Sequence, residues 1–571
     1  MEEWKLVRKG ADFNAIAQKF EISPRVAALI RNRDILGDDN IERYLHGSLS
    51  DLYDGMLMKD MNNACTIISE KIDNEKKIRV IGDYDIDGIC ASYILLSGLK
   101  ELGAHADSDI PDRIHDGYGI NQELIERAYK EDIDTIITCD NGIAAYDAIE
   151  YAKRLGITVI ITDHHEVPYE EDNAVKRYIL PSADAIVNPK QSDCMYPFKG
   201  LCGAGVAYKL IEALFEIRGM DISELDYLLE IVAIATIGDV MELKDENRIF
   251  VKEGLYRLRK TGNLGLNALI DVVGIDKENI SVYHIGFVIG PCLNASGRLD
   301  TAKRALSLLQ CTSRQEASTH ASDLKALNDS RKEMTEQAVR DAVTYYEEKN
   351  LKHRNVIVIY LPDWHESLAG IVAGRIREQY YKPTFVITDS KDSLKGSGRS
   401  IDTYNMYEGL CRCKDILLKF GGHKLAAGLS IKKENLEVFE ECVNEQSGLS
   451  KEDFNRKIKI DMEIPFTAIN EKMIEDLSIL EPFGVGNTKP VFAKRRVRLE
   501  AIRIFGSERK VLKCRVTDEQ SVYIDGVVFN EAEDMKNKVE NKMIDILFYP
   551  TINEYKGYRN LQVVITNYRI I

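Results

Sequence analysis

Four places in this sequence gather carboxylates and imidazoles tightly enough to do chemistry. Asp83-Tyr84-Asp85-Ile86-Asp87-Gly88 alternates three carboxylates, and Asp140 precedes Asn141-Gly142. Asp163-His164-His165 adds two imidazoles, and Asp239 follows the apolar run LLEIVAIATIG. Crowded carboxylates repel, and a fold keeps them together only when protons or cations neutralise them. Oxygen donors with one or two imidazoles suit Mn²⁺ or Mg²⁺, whereas the absence of thiolate argues against structural zinc. Two such ions about 3.5–4 Å apart can activate a water and stabilise both oxygens of an in-line phosphoryl displacement. The first cluster also begins like a calcium loop, D-x-D-x-D-G. Its twelfth position is Ile94 rather than a bidentate glutamate, so calcium storage is excluded.

These acids need a scaffold that brings them to one place. IRVIGDYD (78–85), TIITCDNG (135–142) and TVIITDHH (158–165) are apolar, β-branched runs, each ending in acid or histidine. Helical stretches separate them, one from about Ala91 and one from Ala144 to Leu155. Strands alternating with helices predict an α/β fold with a parallel sheet, and ligands of such sheets sit beyond the carboxyl ends of the strands. All three clusters lie at that end. Residues 1–50 read as a helical segment, and 51–311 as the α/β domain. The stretch 312–350 has no Gly or Pro, a capping pair Thr312/Gln315, and Leu324, Leu327, Met334, Ala338, Ala342 and Tyr345 at helical spacing. It predicts one long connecting helix. A second α/β unit opens with NVIVIYL and occupies 351–450, and alternating runs over 451–571 predict a small β-barrel.

Taken together, GDYDIDG, TCDNG, TDHH and IGDV resemble the DHH phosphoesterase superfamily. GGHKLAAG (421–428) is similar to the motif of the DHH-associated domain. YPFKGLCGAGVAYKL, LNASGRL, WHESLAGIVAGR and EPFGVGNTKPVF narrow the resemblance to the RecJ single-strand-specific exonucleases. It implies a 5′-to-3′ exonuclease that releases 5′-mononucleotides from single-stranded DNA, using two Mn²⁺ or Mg²⁺ ions, in recombination and repair. Asp83, Asp85, Asp87, Asp140, His164 and Asp239 are implied as metal ligands, with Asp140 bridging. His165 is implied to face the substrate phosphate or to support the ligands. The C-terminal domain is implied to be an OB-like nucleic-acid-binding barrel. Ile86 and Cys90 stand where smaller or hydroxyl residues are common, which leaves the ligands intact.

The second unit supplies groups that suit phosphates. Gly421 and Gly422 let backbone N–H groups come close, and His423 can donate. Read alone, Gly-Gly-His also suits a helix C-cap. Arg298, Arg375 and Arg399 read as phosphate or base contacts, each alone equally readable as a surface ion pair. From 375 to 424 there are ten Lys+Arg against six Asp+Glu, +4 within a chain of −16. The overall balance excludes a histone-like wrapper, and the basic surface is local. Trp364 can stack on a base or be buried. In the barrel, Lys494-Arg495-Arg496-Val497-Arg498 suggests nucleic-acid contact. Eleven cysteines without a CxxC pair, no apolar h-region in MEEWKLVRKG and no apolar run of about 18 residues predict a cytoplasmic protein without membrane contact. The resemblance further implies a monomer that works with a single-strand-binding protein and a RecQ-type helicase.

Overall fold

The computed structural model describes residues 2–112, 119–172, 175–299, 301–391, 393–506, 509–529, 532–555 and 557–571. Among them no helix is long and apolar enough to cross a membrane. The chain forms two compact units. One holds 6–297, 301–324 and 459–571; the other holds 325–458 with short pieces from 1–5 and 298–300.

The first unit begins with helices α1 (Phe13–Lys19), α2 (Pro24–Asn32) and α3 (Asp38–His46). Ser23 caps α2 and Pro24 fills its first turn, which needs no backbone donor there. The apolar faces of these helices do not form a domain of their own. Val26, Leu29, Ile30, Ile41 and Leu45 share one core with Met473, Leu477, Phe492 and Phe548 from the far end of the chain.

The central sheet is built from β1 (Lys77–Gly82), β2 (His105–Asp109), β3 (Thr135–Cys139), β4 (Thr158–Thr162) and β5 (Ala185–Val187). Their spatial order is β2-β1-β3-β4-β5, every pairing parallel. Helix α4 (Ile86–Glu101) leaves β1 immediately, five residues earlier than its spacing suggests. The reason is local: Asp85 caps Asp87 and Gly88 N–H, and residues 86–99 are buried on nearly every side, which erases the amphipathic period. Helices α5 (Tyr146–Arg154), α6 (Gly203–Ile217), α7 (Leu229–Gly238), α8 (Asp245–Leu258) and α9 (Gly290–Leu299) complete this layer.

Within α7, Glu230 is 4% exposed and accepts 2.6 Å from Thr261 Oγ1. Burial raises its carboxyl to about 7, against the Thr261 hydrogen bond. A folded pKa above the unfolded one means its share of stability is full below about pH 4.5 and is lost as pH rises through about 7. Glu230→Gln should therefore match the wild type at about pH 4 and exceed it by on the order of 3 kcal/mol at pH 8 in urea denaturation. Parallel pH profiles for the two proteins would refute this.

Helix α10 (Arg314–Glu348) has 35 residues and spans about 50 Å. Its cap is not the Thr312/Gln315 pair: Ser313 Oγ accepts from Glu316 N–H, placing the start one residue later. In the second unit Ala338, Ala342 and Tyr346 of α10 pack on β6 (Ile357–Tyr360) and α11 (Glu366–Tyr380). With β7 (Thr384–Asp389), β8 (Leu394–Arg399), β9 (Leu417–Gly422) and β10 (Ala426–Ile431), the sheet order is β9-β10-β8-β7-β6. Only β6 and β7 run parallel. Trp364 packs against this layer and donates to Asp341 at 2.9 Å, which occupies its polar end. A disulfide joins Cys413 and Cys442, a pairing that the spacing does not announce.

Back in the first unit, β11 (Phe492–Phe505), β12 (Val511–Asp518), β13 (Tyr523–Phe529), β14 (Ile544–Tyr555) and β15 (Tyr558–Ile570) run in the order β11-β12-β13-β15-β14. Strand β14 returns to pair with β11, so five strands close a barrel. Closure removes the exposed edges. The basic run on β11 is largely neutralised. Lys494 meets Asp518 at 3.1 Å, Arg495 meets Glu463 at 3.4 Å and Arg496 meets Glu519 at 2.8 Å.

Candidate metal centre and phosphate contacts

The metal-ligating candidates converge because each sits just past a carboxyl-terminal strand or helix end, or in the turn that follows it. Asp83 and Asp85 follow β1, and Asp87 lies in the first turn of α4. Asp140 follows β3, His164 and His165 follow β4, and Asp239 ends α7. Three groupings of donor atoms result, with each set lying within 4.8 Å. They are Asp83/Asp85/Asp140, Asp87/His164/Asp239 and Asp140/His164/His165. Asp140 belongs to two of them.

His164 Nε2 is 3.1 Å from Asp140 Oδ1, 3.5 Å from Asp87 Oδ2 and 3.8 Å from Asp239 Oδ2. Burial, followed by the charge of neighbouring acids, raises Asp83, Asp87 and Asp140, and lifts Asp239 to about 8. Burial lowers His164, which keeps its imidazole neutral and able to donate a lone pair. Oxygen donors around one neutral imidazole, with no thiolate among them, fit Mn²⁺ or Mg²⁺. Such a cation would relieve the mutual repulsion of the buried acids.

Several groups that hold this arrangement are not apparent from sequence. Gly203 and Ala204 N–H, at the start of α6, grip Asp87 at 2.6 and 2.8 Å. A Cβ on Gly203 would come within 2.7 Å of the Asp140 Cβ, so only glycine fits there. Asn294 Oδ1 accepts from Ile86 N–H at 2.9 Å and fixes the first turn of α4. Asn141 donates to Ile81 and Cys139 carbonyls and accepts from Ile120 N–H, bracing the turn that carries Asp140. Asp163 is buried and bonds His165 Nδ1 at 2.8 Å and Ile143 N–H at 3.0 Å. Burial opposes a charge on His165, but the Asp163 hydrogen bond and nearby acids overcome it and raise the imidazolium to about 9. The signal for these residues lies in GLCGAG, LNASGRL and the D of DHH, segments visible in the sequence without a role. Ile86 and Cys90 are buried side chains beside the cluster and leave its ligands in place.

The phosphate-binding candidates lie in the second unit. Gly421 and Gly422 end β9 rather than a helix, and His423 N–H donates to Ala426 O at 2.7 Å in a tight hairpin. Gly422 has φ +142°, and a Cβ there would strike Ala426 O at 2.4 Å. Arg399 ends the neighbouring β8, where Ser400 N–H donates to Leu425 O, so Arg399 and the hairpin stand together. Gly370 of α11 lies under the Arg399 guanidinium, where a Cβ would meet it at 2.8 Å. Arg298 Nη1 donates to Ser367 O at 3.3 Å, at the start of α11. Arg375 is 67% exposed and 3.9 Å from Glu378, and it follows Gly374, where a Cβ would lie 4.0 Å from Arg399 Cγ.

A parallel sheet whose strand ends carry D-x-D-x-D, a lone Asp and Asp-His-His, with one carboxylate shared between donor groups, defines the phosphoesterase class named for that triplet. Profiles of known families agree. The DHH family N-terminal domain matches residues 77–236, the DHHA1 domain 353–447 and the RecJ OB domain 460–567. The chain is 36% identical over 568 residues to the single-stranded-DNA-specific exonuclease RecJ of Bacillus subtilis, covering 98% of this chain and 70% of that one. It is 31% identical to the Escherichia coli protein of the same name, covering 96% of each. The crystal structure of RecJ with Mn²⁺ from Thermus thermophilus superposes with a TM-score of 0.83 at 26% identity, covering 99% of this chain and 79% of that one. The chain belongs to the RecJ family.

Proposed function

We propose that this protein is a metal-dependent exonuclease that degrades single-stranded DNA from its 5′ end to 5′-mononucleotides. The observation that carries the reading is the set of donor groups that share Asp140, in a chain related to RecJ along nearly its whole length. Asp83, Asp85 and Asp140 would hold one cation and Asp87, His164 and Asp239 the other; Asp140 Oδ1 lies 3.1 Å from His164 Nε2, placed to serve both. Bound there, Mn²⁺ or Mg²⁺ would activate the attacking water and neutralise charge on the phosphoryl group.

The remaining steps belong to the chain itself. Gly203 and Ala204 fix both oxygens of Asp87, so its orientation costs nothing during reaction. Asp163 holds the His165 ring by Nδ1 and keeps a proton on it, which leaves Nε2–H to donate to a phosphate oxygen as its charge grows. His423, the Gly421–Gly422 backbone and Arg399 form one cluster suited to a phosphate, with Arg298 and Arg375 as further contacts. A single-strand-binding protein and a RecQ-type helicase fit this substrate, since one coats single strands and the other produces them. Such a role belongs to recombination and repair.

The test is release of labelled mononucleotide from 5′- and 3′-labelled single strands and from blunt duplex, with Mn²⁺, Mg²⁺ or chelator. Digestion of duplex as fast as single strands, or activity in chelator, would overturn the reading. His423→Ala should weaken strand capture about tenfold while the metal-induced rise in melting temperature stays intact. Loss of that rise would remove His423 from substrate binding.

A further inference from the structure

Beyond the metal centre, the first unit carries an aromatic strip that ends in a basic concavity. Ile285–Ile289 form a single π turn, a rare irregularity that recurs at functional sites. Its Gly286 lies against Ile237, and Gly290 lies against Ile86 beside the D-x-D-x-D turn. The π turn therefore backs onto the same helix end that delivers Asp239. On its outer side Phe287 is 67% exposed and stacks on Tyr283, itself 62% exposed, with centroids 5.1 Å apart and planes 28° from parallel. Val240, directly after Asp239, is 64% exposed and has φ +61°. That is strained backbone for a β-branched residue, and such strain persists where surroundings enforce it.

Tyr283 also lines a concavity of about 520 Å³ between α8 and the segment 481–489. Lys252, Arg259 and Lys489 line it too, with Glu481 as the one acid of the lining. None of the three cations is paired with a carboxylate among the described residues. Lys252 and Arg259 find only carbonyl oxygens, of Leu45 and Ile280, and Lys489 sits 4.0 Å above the Tyr549 ring. Burial of Lys252 lowers its pKa, a cost that an anion in the concavity would remove. Exposed stacked aromatics followed by unpaired cations match the alternation of base and phosphate along a single strand.

We propose that this surface seats the part of the strand that is not being cleaved, with bases stacked on Phe287 and Tyr283 and a backbone phosphate among Lys252, Arg259 and Lys489. The proposal rests on the reading of single-stranded DNA as substrate and adds to it a length-dependent grip. The experiment measures equilibrium binding of oligothymidylates of three, six and twelve nucleotides to the full chain, over a range of salt.

The wild type should gain affinity with length. Lys252→Gln/Arg259→Gln/Lys489→Gln should lose about tenfold or more on the longest strand and shorten the salt slope by about 0.7 for each phosphate contact removed. Tyr283→Ala should cost a similar factor with the salt slope unchanged, because stacking carries no counterion release. The metal-induced melting shift reports that each variant is folded. Variants that keep the wild-type gain with length would overturn the seat while leaving the exonuclease reading intact. A wild type with no affinity for single strands would instead sink the function itself. Variants that lose an acidic peptide (poly-aspartate as probe) but keep the oligonucleotides would show that the concavity serves a protein partner, and the proposal would fall.

Discussion

Asp140→Asn is expected to lower turnover on single strands by about 10³-fold or more while the protein remains folded. Asparagine is the informative replacement because residue 140 has φ +59°, a left-handed conformation that Asn adopts readily and alanine does not. The amide keeps the shape of the side chain and removes a charge that belongs to two of the three donor groupings. Two consequences separate this from simple misfolding. In chelator the variant should melt higher than the wild type, since one of several repelling buried acids is gone. With Mn²⁺ added, the wild type should gain more stability than the variant, because ligand-linked stabilisation scales with affinity. Near wild-type turnover in Asp140→Asn, or an unchanged metal-induced shift, would remove Asp140 from the centre of the site.

The second large effect is structural. Arg248 of α8 is 2% exposed and donates to four carbonyls at once. Its Nε reaches Tyr44 O at 2.9 Å, Nη1 reaches Leu480 O at 3.0 Å and Pro482 O at 3.5 Å, and Nη2 reaches Ile479 O at 3.0 Å. Its guanidinium also lies 4.1 Å over the Tyr44 ring. One side chain thus ties α3, α8 and the entry to the barrel. Arg248→Met fills the volume but strips the donor from Tyr44 O and Ile479 O, at about 1–3 kcal/mol for each one left dry, while Leu480 O and Pro482 O keep the Asn487 amide. A total loss of several kcal/mol is expected, with urea unfolding that splits into two transitions as the barrel loosens from the sheet domain. Arg248→Lys should recover only part, since an ammonium cannot match the planar fork. A single transition with wild-type midpoint for Arg248→Met would falsify this role.

Much of the metal centre is legible in the sequence because its chemistry is local. Each acidic cluster terminates an apolar run, and parallel sheets bring such termini to one edge. What escapes is set by contacts distant along the chain or by burial that hides periodicity. In sequence Asp163 is one more acid of a triplet; only its bonds to His165 and Ile143 reveal that it orients the imidazole. Gly421–Gly422 suit a helix end when read alone, whereas cross-strand pairing with Gly428 and Ala427 makes them part of a hairpin. The barrel's basic run reads as a phosphate surface until Asp518, Glu463 and Glu519 are placed beside it. Those acids come from other strands and turns, so no window of sequence around residues 494–498 contains them.

The core that α2 and α3 share with the barrel also has a cost in time. Leu45 emerges from the ribosome long before Phe492, its neighbour in that core, and the gap is 447 residues. At 5–20 residues per second, the N-terminal helices wait roughly 20 to 90 s with their apolar faces uncovered. During synthesis this protein is therefore a client for chaperones at its beginning rather than at its end. Slowing translation through the middle of the message should lower its soluble yield even though no residue has changed.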